Sequence, residues 1–225
     1  MKIGIKGEMI NRVNRVMIMM MVVMMGCNSG GVSGEGTGEE GKARKGDGSV
    51  IDLKVVSKKI RDAVAFAESV KEVHTLVKSV DELAKAIGMK IQNGDTLAAD
   101  NNHNGGILAG SFQIISTVKA KLDILSKTNI ISDELKQKVN DSKSKAEAFL
   151  GKLKTNHSDL GKEGATDDHA KAAILVTNNT KDKGATELGQ LNTSIGELLT
   201  AANELVNDAV KELTTPTNVA TPVKP

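Results

Sequence analysis

Few side chains in this protein of 225 residues stand at spacings that chemistry requires. Gly36-Thr37-Gly38-Glu39-Glu40-Gly41-Lys42-Ala43 contains Gly-x-Gly-x-x-Gly and falls one residue short of a P-loop. A phosphate cradle needs a strand before the glycines and a hydroxyl for magnesium after the lysine. No strand pattern precedes this segment, Ala43 has no hydroxyl, and Glu39 and Glu40 repel phosphate, so it reads as linker. Asp100-Asn101-Asn102-His103-Asn104-Gly105 matches the first six positions of a calcium loop, with Ile107 at the usual apolar position. Position twelve is Ser111, so the bidentate glutamate is missing and Asp100 is the only carboxylate. A polar connecting loop is expected there, with weak calcium binding as the alternative. His74, His103, His157 and His169 share no metal-ligand spacing. Ser116-x-x-Lys119 and Ser142-x-x-Lys145 match an acyl-enzyme spacing but sit inside helical patterns without the companion motifs. No catalytic residue, metal or cofactor is assigned.

One thiol remains. Cys27 is the only cysteine, which excludes an intramolecular disulfide and a cysteine-based zinc cluster. Lys2, Lys6, Arg12 and Arg15 precede an uncharged run from Val16 to Met25, and Gly26-Cys27 closes it. Ten apolar residues are too few to span ~30 Å of hydrocarbon as a helix. A basic region, a short apolar region and a small residue at the exit make a secretory signal peptide over 1–26. A buried core helix is the competing reading, but the run lacks periodicity and a glycine tract follows it. A cysteine directly after the small residue is the bacterial lipoprotein pattern, and Val23-Met24-Met25-Gly26-Cys27 resembles the looser lipobox of spirochetes. The expected chemistry is diacylglycerol transfer to the thiol, cleavage between Gly26 and Cys27, and acylation of the new amine. Each buried methylene adds about 0.8 kcal/mol and stable anchoring needs more than one acyl group, so three of them hold firmly in membrane lipid. Glu8 is unusual in a basic region, which leaves initiation at Met9 as an alternative to Met1.

The elements that would carry these residues follow from composition shifts. Eight of nine Met lie in 1–25, all three Pro in the last ten residues, and eleven of 22 Gly before residue 50. Residues 27–49 read as the acylated cysteine and a flexible Gly-rich tether, whose root-mean-square span is roughly 26 Å. Residues 50–213 read as an all-α bundle of about five helices, two of them long. The first runs from about Ser49 to Ile91 with apolar positions three and four apart and one slip at 67–70–73. Lys90–Leu97 leaves room for a short strand pairing. The second helix covers about Ile107–Lys127, with Leu108, Phe112, Ile115, Val118, Leu122 and Leu125 on its apolar face. The third is capped by Ser132, with its stripe from Leu135 to Leu153; the fourth, capped by Thr166, reaches about Asn178. The fifth runs from about Ala185 to Leu213. Antiparallel closure brings its end beside the start of the first helix, with both tails at one end and the 93–106 loop at the other. Residues 214–225 read as a disordered tail containing the prolines.

Charge and aromatic content exclude other functions. The formal charge of +2 becomes −1 once the four basic residues and one acidic residue of 1–26 are removed. Phe66, Phe112 and Phe149 are the only aromatic residues, so base-stacking platforms and aromatic cages are not expected, nor is a nucleic-acid partner. Lysines concentrate on the third helix at 136, 138, 143, 145, 152 and 154. Their ordinary reading is a solvated helix face. The functional reading is a polyanion contact through Lys143, Lys145, Lys152 and Lys154.

Five segments carry a resemblance: Cys27-Asn28-Ser29-Gly30-Gly31, Ile174-Leu175-Val176-Thr177, Lys181-Asp182-Lys183-Gly184-Ala185-Thr186-Glu187-Leu188, Val210-Lys211-Glu212-Leu213-Thr214 and Thr221-Pro222-Val223-Lys224-Pro225. With these the sequence resembles the variable small proteins of relapsing-fever Borrelia, a family close to the outer surface protein C lipoproteins of Lyme spirochetes. The resemblance covers the mature chain and is weakest at 93–106 and 151–165. It implies a helical, homodimeric lipoprotein exposed on the outer membrane, dominating the coat and varying antigenically. It carries over one functional residue, Cys27. Some members bind host glycosaminoglycans, or host and tick proteins. The expected function is therefore a variable major surface antigen that meets host antibodies, with adhesion secondary. The alternative is a periplasmic or membrane-associated lipoprotein that encloses a small ligand between helices. An enzyme is not expected.

Overall fold

The computed structural model describes residues 42–44 and 50–214 apart from 95 and 130, with only the backbone at 43, 44, 50, 51 and 214. The expected signal peptide, Gly26 and Cys27, most of the tether and the tail from 215 onward lie outside the described residues. A short antiparallel pair opens the described part. β1 (Lys42–Arg44) faces β2 (Val50–Asp52), with Lys42 opposite Asp52. Strand pairing thus begins inside the stretch read as tether.

Asp52 ends the pair and starts the first helix. Its carboxylate accepts the backbone N–H groups of Lys54 and Val55, satisfying two of the donors a helix start leaves free. α1 (Leu53–Leu83) buries Val56, Ile60, Ala63, Phe66, Ala67, Val70, Val73, Val77 and Val80. Phe66 and Ala67 share the buried face, so the slip in spacing passes without a break. The helix does not reach Ile91 as the stripe predicts. A 3-10 turn (Ala84–Ala86) follows, and Gly88 adopts φ +71°, a backbone that side chains with a Cβ resist. β3 (Met89–Ile91) then pairs antiparallel with β4 (Leu97–Ala99), across a turn containing Asn93-Gly94. Ile91, predicted on the apolar stripe, is 88% exposed.

α2 (Gly105–Ser126) buries Leu108, Ser111, Ile115, Val118, Leu122 and Leu125. Ser111 takes the buried place expected of Phe112, because its hydroxyl is satisfied by the carbonyl of Ile107 at 2.9 Å. α3 (Asp133–Thr155) is capped by Ser132 as predicted and buries the predicted stripe. Ser142, inside that stripe, is fully buried and its hydroxyl meets that of Ser194 at 2.7 Å. A single turn, α4 (His157–Leu160), and α5 (Asp167–Ile174) complete one end. α5 is capped by Thr166 but stops at Ile174 instead of Asn178, where Leu175 turns extended. α6 (Ala185–Thr214) returns along the molecule.

The four long helices form a ring in which α1 packs on α2 and α6, and α3 packs on the same two. Side-chain pairs fix the directions. Lys121 meets Glu72 between α1 and α2, and Lys143 meets Asp123 between α2 and α3. Lys145 meets Gln190 between α3 and α6. Lys59 meets Glu212 at 2.8 Å and Asn192 meets Asp81, so α6 runs antiparallel to α1 and ends beside its start. The first and last described residues therefore share one end, called proximal below. The β3–β4 hairpin, α4, α5 and the loops around 100–104 and 175–184 make the distal end. The core between the helices includes Val70, Ile115, Phe149, Leu191, Ile195 and Leu198, each fully buried.

Candidate functional site

The distal end is organised by one buried amide. Asn104 has no exposed surface. Its Oδ1 accepts the backbone N–H of Gly88 at 2.8 Å. Its Nδ2 donates to the carbonyl of Ala165 at 3.0 Å and to Asp167 Oδ1 at 2.8 Å. Asn102, in a left-handed conformation at φ 63°, faces Asp167 reciprocally: its N–H donates to Asp167 Oδ1, and its own Oδ1 accepts the N–H of Asp167. One asparagine pair and one aspartate thereby join the turn between α1 and β3, the start of α2 and the start of α5. Gly88 is required here, since a Cβ on it would stand 2.8 Å from Asp167 Oδ2. Gly105 is required too, with the carbonyl of Lys162 2.5 Å from its Cβ position.

Hydrogen bonds set the charge of this latch. The N–H of Asn102, then the amide of Asn104, hold the Asp167 carboxyl below the usual carboxylate range. Lys183 does the same to Asp159 on α4, at 2.6 Å, and so ties α4 to the loop before α6. The residues read as a calcium loop are committed elsewhere: Asn102 and Asn104 to Asp167, and Asp100 to Lys90 at 3.3 Å and His103 at 3.5 Å. Among the described residues no group of three His, Cys, Asp or Glu is placed to hold a metal ion.

The lysines of α3 divide into two rows. Lys143 and Lys154 lie eleven residues apart, close to three turns, and face α2. Lys143 Nζ is 2.6 Å from Asp123, and Lys154 Nζ lies 5.7 Å from the ring centre of half-buried Phe112. Hydrogen bonds from Lys127 and Lys143 pull the Asp123 carboxyl down to about 2, and the same bond to Asp123 raises Lys143. Lys145 and Lys152, seven residues apart, share the opposite flank, where Lys145 reaches Gln190 of α6 at 3.4 Å. The four lysines thus flank the buried stripe on two sides rather than forming one cluster. Lys143 is neutralised by its partner.

The serine–lysine spacings do not meet. Ser116 donates to the carbonyl of Phe112 and Lys119 faces Glu147, while Ser142 faces Ser194. His74 lies at the core edge, its pKa lowered by burial and then by Lys78. Surface grooves accompany the bundle. One, of about 560 Å³, is lined by Glu68, Lys71, Glu72, Thr75, Leu76 and Lys121 and opens to solvent. Another, of about 310 Å³, lies between Lys59 and Ala63 of α1 and Leu205 to Glu212 of α6. No helix among the described residues is long and apolar enough to cross a membrane.

These elements define an antiparallel helical bundle closed at its distal end by a hydrogen-bonded cap. Comparison with known proteins agrees with that helical fold. The family model described as Lipoprotein (Lipoprotein_6) matches residues 50–219, and the chain belongs to this lipoprotein family. It is 46% identical over 211 residues to Outer surface protein C of Borreliella burgdorferi, covering 92% of this chain and 96% of that protein. It is 43% identical over 208 residues to Variable small protein 11 of Borrelia hermsii, covering 91% and 97%. The solved structure of Variable Small Protein 1 of Borrelia turicatae, 48% identical, superposes with a TM-score of 0.69 over 72% of this chain and 99% of that one. These relatives carry non-enzymatic names, and the protein belongs with them as a non-enzymatic lipoprotein.

Proposed function

We propose that this protein is a surface-exposed coat lipoprotein of a spirochete, anchored in the outer membrane through acylated Cys27 and acting as a variable major surface antigen. Family membership supports the surface assignment, with relatives named as outer surface and variable small proteins. The observation that carries the orientation is the closure of α6 on α1 through Lys59 and Glu212, which gathers the first and last described residues opposite the distal loops. A protein anchored near its start then holds the hairpin, α4 and α5 farthest from lipid, where host antibodies meet them first. Such loops vary without disturbing the stripes beneath. Protease added to intact cells is expected to remove the protein. Its survival until lysis overturns the reading.

Homodimerisation belongs to the same proposal. The α6 stripe is fully buried from Leu188 to Ala202, but Leu205 and Ala209 are only half-buried and line the proximal groove. Apolar edge left over along a long helix favours a second copy. Adhesion to host glycosaminoglycans or proteins is the secondary activity. A sulfated polysaccharide would follow the row of Lys145 and Lys152, since Lys143 is committed to Asp123. Replacing Lys143, Lys145, Lys152 and Lys154 with Gln is expected to weaken heparin retention in a salt-dependent way. Unchanged retention rules these lysines out.

A further inference from the structure

Asparagine followed by glycine occurs twice in the sequence, as Asn93-Gly94 and Asn104-Gly105. Both pairs carry the same latent reaction, because a glycine amide nitrogen has no neighbouring side chain to hinder its approach to Cγ of the preceding asparagine. Their surroundings are opposite. Asn93 and Gly94 are exposed in the turn between β3 and β4. Gly94 has φ +103°, and among the described residues beyond its chain neighbours nothing lies within 4 Å of where its Cβ would stand. The hydrogen bond from Gln92 N–H to the carbonyl of Thr96, 3.2 Å, brackets the pair and engages neither residue. Asn104, by contrast, is fully buried, with its Nδ2 donated twice and its Oδ1 accepting from Gly88. The N–H of Gly105 donates to the carbonyl of Glu163 at 3.2 Å, so the nucleophile there is also engaged.

We propose that Asn93 is a site of spontaneous modification, and that the latch protects Asn104 from the same reaction. The deprotonated amide nitrogen of Gly94 attacks Cγ of Asn93. The N–Cγ bond forms, the bond from Cγ to Nδ2 breaks, and ammonia leaves with the proton returned to it. The resulting cyclic imide adds one water at either carbonyl and opens to aspartate or isoaspartate. Water is the only co-reactant. The product puts a new carboxylate at the hairpin tip, and the isoaspartate form routes the backbone through an extra methylene. One sequence then presents more than one surface at its distal end. The inference rests on the two environments and not on the surface-antigen reading.

The test ages the purified full-length protein in mildly alkaline buffer, with and without urea, and follows both sites by peptide mass mapping and isoaspartyl methyltransferase labelling. In native buffer Asn93 is expected to convert at least about tenfold faster than Asn104, because only the latter needs local opening. In urea the two rates are expected to converge to within about threefold, since the opening step is gone. Asn93→Gln is expected to abolish the native label while leaving the far-UV circular dichroism unchanged. Equal native rates at the two sites overturn the proposal. So does an Asn93 that stays intact in native buffer yet converts in urea.

Discussion

Along α1 from Val70 to Val80, Val70, Val73, Val77 and Val80 vanish completely into an apolar core, repeated by Leu188, Leu191, Ile195 and Leu198 on α6. At the distal end the fold instead closes around Asn104 and Asp167, where polar atoms meet at 2.8–3.1 Å. The bundle body is held by transfer of apolar area from water, which is non-directional and spread over many residues. The cap extends that apolar core through Leu160, Ala170 and Ile174 and adds a few directional bonds, in which losing one partner leaves another buried group unsatisfied. The two regions therefore suit different duties. A body with distributed cohesion tolerates change on its outer face, and a latched cap fixes the position of the loops it joins.

Substitutions should separate the two forces. Phe149→Ala empties a fully buried site shared by α3 and the turn at Gly184. It is expected to cost about 3–5 kcal/mol in chemical denaturation, with loss of the whole bundle. Asn104→Ala is expected to cost about 1–3 kcal/mol, since Gly88 N–H loses its acceptor and Asp167 loses a donor. Hydrogen exchange should then rise at Gly88 and Asn102, while the protection of the body, read at Val77, Leu191 and Ile195, persists. If exchange rises equally in body and cap, the two are one cooperative unit and the comparison fails.

Acid sharpens the same contrast. Asp167 has a folded pKa below its unfolded value, so its contribution is fully present above the unfolded carboxylate range and is lost as pH falls through the lower folded value. Acid titration of the wild type should loosen the cap in that window, and Asp167→Asn should remove that part of the pH dependence. The smallest effect is expected at the proximal closure. Lys59 and Glu212 are both about half exposed, and Lys59→Gln should cost less than about 1 kcal/mol, in a denaturation midpoint that salt shifts little further.

The same contrast explains what could be read from the sequence. The stripes of α1, α3 and α6, the caps Ser132 and Thr166 and the antiparallel closure were legible because periodicity and capping are local signals. The distal cap was not legible in that way. Asp167 carries the local mark of a helix-start acid, and nothing near it announces a partner 63 or 65 residues away. Asn104 reads in sequence as one position of a weak calcium loop. The end of α1 was overrun because Ile87 and Ile91 continue the stripe, whereas Gly88 and the Asn93-Gly94 turn decide the backbone. The lysines of α3 were visible as a group, but their division between two flanks depends on which helices lie on each side. Cys27 is an expectation from its neighbours in sequence and lies outside the described residues.

The orientation of the two regions on the cell can be measured directly. Ser158, on α4 at the distal end, and Asn129, in the proximal turn between α2 and α3, are both exposed. Single Ser158→Cys and Asn129→Cys variants would be treated on intact cells with a membrane-impermeant maleimide, and again as purified proteins. The account predicts equal labelling rates for the purified proteins and faster labelling of Ser158→Cys on cells. Labelling of neither until the cells are lysed, or faster labelling of Asn129→Cys on intact cells, would contradict it.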